Sequence, residues 1–104
     1  MAVYSATLSG VISVASAVAS PGKRVRIRRL IVTTAVNGSL TLKQDIGGAD
    51  ETAVFPTIQA RAQGPALDLY FDREMPQTAP GLALGFESGV AGDHGIWIEY
   101  DLVD

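Results

Sequence analysis

The sequence predicts an all-β fold: an antiparallel β-sandwich, jelly-roll-like, of about eight strands in one domain spanning residues 1–104. Three observations carry this. Apolar residues recur at every second position, which sends one set of side chains to a core and the other to solvent. Turn-forming dipeptides punctuate the chain at short intervals. No apolar stripe of helical period runs for a useful length. An up-and-down barrel is the alternative for the same pattern.

The predicted strands are 2–8, 11–19, 24–35, 39–46, 52–59, 66–72, 82–87 and 95–103. In 11–19, Ile12, Val14 and Val18 oppose Val11, Ser13, Ala15, Ala17 and Ala19. Both faces are small, which suits close approach of another sheet or chain. Pro21-Gly22 then turns the chain into 24–35, whose face polarity switches near Arg28-Arg29. Val25 and Ile27 lie on one side, Leu30 and Val32 on the other. Either a bulge resets the register there, or the strand passes from solvent into a subunit contact. Asn37-Gly38 reads as a hairpin turn into 39–46, because both residues tolerate positive φ. Leu40 and Leu42 alternate with Thr41 and Lys43. Leu67, Leu69 and Phe71 alternate with Asp68, Tyr70 and Asp72. Leu82, Leu84 and Phe86 alternate with Ala83, Gly85 and Glu87. Ile96, Ile98, Tyr100 and Leu102 alternate with Trp97, Glu99, Asp101 and Val103.

Charge is low, 18% of residues, and unevenly placed. Residues 1–44 carry six bases and no acid, whereas residues 45–104 carry two bases and all eleven acids, for a net charge of −3. Basic and acidic strands could neutralise each other across a sheet, or a basic face could meet an acidic face of a neighbouring subunit. No run of about 20 apolar residues exists to span a membrane. Residues 13–19 superficially resemble a signal-peptide cleavage region. No positive charge precedes Lys23, however, and polar residues interrupt the apolar stretch, so a signal peptide is rejected.

The pattern points away from catalysis. With no cysteine and one histidine, thiol nucleophiles and multi-histidine metal sites are excluded. No catalytic residue, metal ligand or cofactor-binding motif is assigned. His94, in the loop 89–95, reads as a loop histidine making local hydrogen bonds. Asp45, Asp50 and Glu51 flank Gly47-Gly48 without the spacing of a calcium loop. Asp68, Asp72 and Glu74 read as a solvated strand side. The most distinctive segment is KRVRIRR at residues 23–29. Alternation divides its arginines between the two strand faces, no aromatic interleaves them, and the protein is acidic, which together argue against nucleic acid. Arg24, Arg26, Arg28 and Arg29 are therefore candidates for a subunit or partner contact, or for cross-strand neutralisation. Trp97 and Tyr70, opposite their strands' aliphatic residues, join them as candidate contacts. They could equally form a sugar-stacking platform.

A basic-aliphatic strand running into VTTAVNGSLTLKQDIGG (residues 32–48), then LDLYFDREM (67–75), GLALGFESG (81–89) and IWIEYDLV (96–103), resembles small all-β accessory virion proteins of tailed phages and phage-like gene transfer agents. The resemblance covers most of residues 25–103 and lies in strands and turns. It implies a head-decoration or head-spike/fibre-base subunit in the virion, made in the bacterial cytoplasm without a signal peptide. It also implies a homo-oligomer, trimer or pentamer, with a capsid protein and a fibre protein as partners, and neither cofactor nor membrane. A carbohydrate-binding module of a phage or bacterial surface protein is the rival reading, and a small jelly-roll enzyme using His94 a weaker one.

Overall fold

The computed structural model describes residues 2–10, 13–18, 22–62, 66–89 and 91–104; the side chains of residues 14–18 and 60 lie outside that description. Among the described residues every regular element is a strand: β1 (Ala2–Leu8), β2 (Ser13–Val18), β3 (Arg24–Thr34), β4 (Gly38–Gln44), β5 (Thr52–Ala53), β6 (Ile58–Ala60), β7 (Leu67–Tyr70), β8 (Leu84–Ser88) and β9 (His94–Val103). The predicted strand 52–59 is split into β5 and β6. Pro56 sits between them, and a proline can donate no ladder hydrogen bond.

The strands form two antiparallel sheets. One has the order β1-β9-β3-β7. The other has the order β2-β8-β4-β5, with β6 also pairing β4. Most sequence neighbours do not pair. Ala2 lies opposite Tyr100, and Arg24 opposite Val103, so β9 is flanked by β1 and β3.

This topology corrects the Asn37-Gly38 hairpin. β3 and β4 lie in different sheets, and each already has both edges occupied by other strands. Neither Asn37 nor Gly38 adopts the positive φ that a two-residue hairpin turn requires, whereas Asp45 (φ 53) and Gly47 (φ 83) do, in the β4–β5 connection. The chain crosses between sheets instead. The Thr34 hydroxyl brackets the crossing by donating to the Val36 carbonyl (2.8 Å) and accepting the Val36 N–H (3.2 Å). Asn37 Oδ1 accepts the Ala62 N–H at 2.9 Å.

The switch of faces in β3 is a β-bulge. Ile27 pairs with Tyr100 and Arg29 with Glu99, leaving Arg28 as the extra residue. Val25 and Ile27 are buried before it, Leu30 and Val32 after it. The inserted residue keeps both apolar pairs facing the core and sends Arg24, Arg26 and Arg29 outward. The arginines are therefore not divided between two faces, as strict alternation implied. The other edge of β3 is covered by β7 beyond the bulge and by residues 76–78 before it. There Ile27 N–H donates to the Pro76 carbonyl (2.8 Å), and Val25 N–H to Thr78 Oγ1 (3.0 Å).

Both sheets contribute to one apolar cluster. Val25, Ile27, Leu30, Val32, Ile96 and Ile98 come from the first, and Leu40, Leu42, Ile58, Leu84 and Phe86 from the second. Tyr4 of β1 stacks on Phe86 of β8, with ring centroids 5.7 Å apart. Burying each large aliphatic or aromatic side chain contributes about 1.5–3 kcal/mol, so this cluster is the main source of stability. Apart from Ser13, which is exposed, the small-residue reading of 11–19 falls on side chains outside the described ones.

Candidate interaction surface

The register of the first sheet arranges its outward residues in cross-strand rows. Thr7, Gly95 and Thr33 make one row, and Ser5, Trp97, Ile31 and Asp68 the next. Val3, Glu99, Arg29 and Tyr70 make a third. The period-two pattern of each strand decides which residues point outward. Only the lateral register decides which of them meet.

Charges in these rows are paired internally. Arg29 grips Asp68 with two hydrogen bonds, Nε to Oδ1 at 3.0 Å and Nη2 to Oδ2 at 2.7 Å. The same guanidinium lies 3.6 Å from Glu99, whose Oε2 accepts the Trp97 indole N–H at 3.0 Å. Glu99 thus links the arginine to the tryptophan and holds the indole in place. At the bulge, Arg28 donates to Asp101 at 2.9 Å. Hydrogen bonding to these guanidinium groups holds the Asp68 and Asp101 carboxyls below the ordinary aspartate range. The carboxylates in turn raise Arg29 and Arg28 further.

Arg26 reaches Gln77 (3.3 Å), while Arg24 has no ion-pair partner among the described residues. The six candidates therefore separate by position. Arg29, Tyr70 and Trp97 occupy adjacent rows, Arg28 sits at the bulge, and Arg24 and Arg26 lie toward the start of β3. Sequence reasoning missed Glu99, Asp68 and Gly95. Their alternation placed them on the outward face, but nothing local showed which neighbours they would meet.

Trp97 is 40% exposed and Tyr70 67%. Beside the indole, the missing side chain of Gly95 opens a shallow hollow of about 410 Å³ lined by Ser5, Thr7, Ile31, Thr33, Gly95 and Trp97. A Cβ at Gly95 would collide with the Thr33 hydroxyl, so glycine keeps that hollow open. The floor is hydroxyl-rich and one wall is aromatic.

The remaining candidates resolve differently. His94 is not a loop residue. It opens β9, opposite Leu8 and Thr34, and is 1% exposed. Its Nδ1 lies 3.0 Å from Thr34 Oγ1 on a strand remote in sequence, and its Nε2 is buried without a hydrogen-bond partner. The side chain packs inward because residue 94 shares the alternation of Ile96 and Ile98. In the Asp45–Glu51 loop the carboxylates serve the backbone: Asp45 Oδ2 accepts the Asp50 N–H (2.9 Å) and Glu51 Oε1 the Gly47 N–H (2.7 Å). The Gly47 bond, assisted by Lys43, holds the Glu51 carboxyl below its ordinary range. Among the described residues no three His, Asp or Glu side chains gather as a metal cluster, and no helix is long and apolar enough to cross a membrane.

The chain matches no family model, no curated protein and no solved structure, so its likeness to phage accessory proteins rests on the sequence pattern alone.

Proposed function

We propose that the protein is a non-enzymatic structural subunit of a tailed-phage or gene-transfer-agent particle, a head-decoration or head-spike/fibre-base protein that oligomerises and docks on the capsid. Its two sheets and shared core fit an antiparallel sandwich of jelly-roll type. The observation that carries the reading is the outward face of the β1-β9-β3-β7 sheet. Its central arginine is neutralised by the sheet's own Asp68 and Glu99, leaving Trp97, Tyr70 and Val3 for a partner to cover. Aromatic residues beside a satisfied arginine are what the centre of a protein–protein contact favours. The charge difference between the two parts of the chain is largely spent inside the subunit, on pairs such as Arg28–Asp101 and Lys43–Glu87.

Electron microscopy of particles assembled without this protein tests the proposal. Loss of a surface projection or decoration density is expected. A particle unchanged in every projection overturns it.

The hollow beside Trp97 favours a second reading, a carbohydrate-binding module. An aromatic wall next to several hydroxyls suits a sugar ring, with one face stacked and the edges hydrogen-bonded. Glycan-array binding by the purified protein that is lost in Trp97→Ala supports this reading over the first. An array without signal removes it.

A further inference from the structure

The sheet edges are protected to different degrees. β7, one edge of the first sheet, is four residues long and carries Asp68. In the second sheet, β5 and β6 are two and three residues long and separated by Pro56. At the opposite edge β2 shifts register against β8 between Val14 and Val18. Shortness, charge, proline and irregularity are the usual devices that stop one sheet from adding to another.

β1 has none of them. It is seven residues long, AVYSATL, with no charge, proline or glycine. All seven residues pair with β9 in unbroken register, and among the described residues no strand lies on its other side. Among the described residues its outward backbone groups therefore form an unbroken, unpaired template.

From this we infer that β1 is the self-association edge of the protein, pairing antiparallel with β1 of a second copy about a two-fold axis at Ser5. This specifies the contact of the homo-oligomeric reading above and rests on it. Ser5 is the midpoint of Ala2–Leu8, so this register alone pairs all seven residues. It sets Tyr4 opposite Ala6 and Ala2 opposite Leu8 on the core side, large against small in each case. It sets Val3 opposite Thr7 and Ser5 opposite Ser5 on the outer side. Each residue keeps its own face, since a shift by one would turn the core side outward.

Electrostatics permits the pairing. β1 brings no charge to the junction. The nearest charge on the outward face, Glu99 beside Val3, is engaged by Arg29 and Trp97. The product is a continuous eight-stranded sheet with two Trp97 faces on one side. A two-fold contact of this kind builds dimers and even-numbered assemblies, not the trimers or pentamers the resemblance implies.

Because the chain has no cysteine, a single Ser5→Cys reads the axis directly. Directly opposed residues in an antiparallel pair have Cα atoms about 4.5–5.5 Å apart, within the about 4.4–6.8 Å that a disulfide accepts. Under mild oxidation Ser5→Cys should cross-link most of the protein to twice its 10.9 kDa mass. Val3→Cys should stay near background, because its two copies would sit four residues, about 13 Å, apart along the strand. The double variant Val3→Cys/Thr7→Cys should cross-link again. Ser5→Lys, which opposes two ammonium groups on an exposed position, should halve the mass seen by light scattering with an unchanged far-UV spectrum. A dimeric wild type in which Ser5→Cys does not cross-link overturns the β1 pairing and leaves the oligomeric reading standing. A wild type that is monomeric at every concentration and salt overturns both.

Discussion

The outward faces of the two sheets are built from different chemistry. Among the described residues the second sheet shows solvent polar side chains: Lys43 between Glu87 (3.2 Å) and Glu51 (3.5 Å), with the Thr41 and Thr57 hydroxyls 3.3 Å apart beside them. The first sheet carries Trp97, Tyr70 and Val3 around one neutralised arginine. The strands differ in the same sense. β3 and β9 are eleven and ten residues long and continuous, while β5 and β6 are fragments. A long-stranded sheet with aromatic residues on its outer face is suited to contact, and a short-stranded one with charged and hydroxyl side chains to water. The first sheet's face is accordingly the one proposed to meet a partner. How firmly it is held follows from the core both sheets share.

Cutting that shared core gives the largest effect. Phe86 is fully buried in the second sheet but stacks on Tyr4 of the first, so Phe86→Ala should cost about 3–5 kcal/mol and loosen both sheets together. Denaturation followed in parallel by Trp97 fluorescence and far-UV circular dichroism checks it. Transitions that separate would mean that the first sheet stands without the second.

A smaller loss comes from the strut beside β3. Thr78→Val leaves the buried Val25 N–H unpaired and should cost about 1–3 kcal/mol, with Thr78→Ser recovering most of it. Urea midpoints of the three proteins measure this. Equal midpoints for the valine and serine variants would show that the hydroxyl contributes nothing.

The outer faces separate in the next comparison. Trp97→Ala and Lys43→Ala should each cost about 1 kcal/mol, since both side chains are partly covered and each gives up its bonds to neighbouring glutamates. Only Trp97→Ala should lower the amount of protein retained on particles in a sedimentation assay. Equal loss from both variants would erase the distinction between the faces.

The smallest effect is electrostatic. Asp68 and Asp101 titrate below their ordinary 3.8 when folded, because Arg29 and Arg28 favour their charged forms. Their contribution is present above the unfolded value and is lost as pH falls through the lower, folded values. Stability should therefore decline as the pH is lowered from about 4, the unperturbed aspartate range. Asp68→Asn should flatten part of that decline in thermal melts at a series of pH values. An unchanged slope would show that the Arg29 pair is fully screened by solvent.

Alternation alone was enough to place Leu40, Leu42, Ile96 and Ile98 in the core and Trp97 and Tyr70 outside it. It also marked the irregularity at Arg28, because a strand whose apolar residues change parity must gain a residue or change environment. These are local consequences of the backbone's two-residue period, and no partner strand is needed to derive them. Pairing is different. Asn37-Gly38 has the chemistry of a hairpin turn, yet β3 and β4 diverge into separate sheets because β9, β7 and β8 compete successfully for their edges. His94 read as a loop residue because the glycines around it hid the start of β9. The Arg29–Asp68–Glu99 grouping required β7 and β9, distant in sequence from β3, to flank it in one particular register. Period and polarity thus settled which side of β4, β7, β8 and β9 faces the core. The neighbours of each strand, and with them the outward rows of the first sheet and the open edge of β1, came from the tertiary structure, because backbone ladders pair any strands that burial brings together.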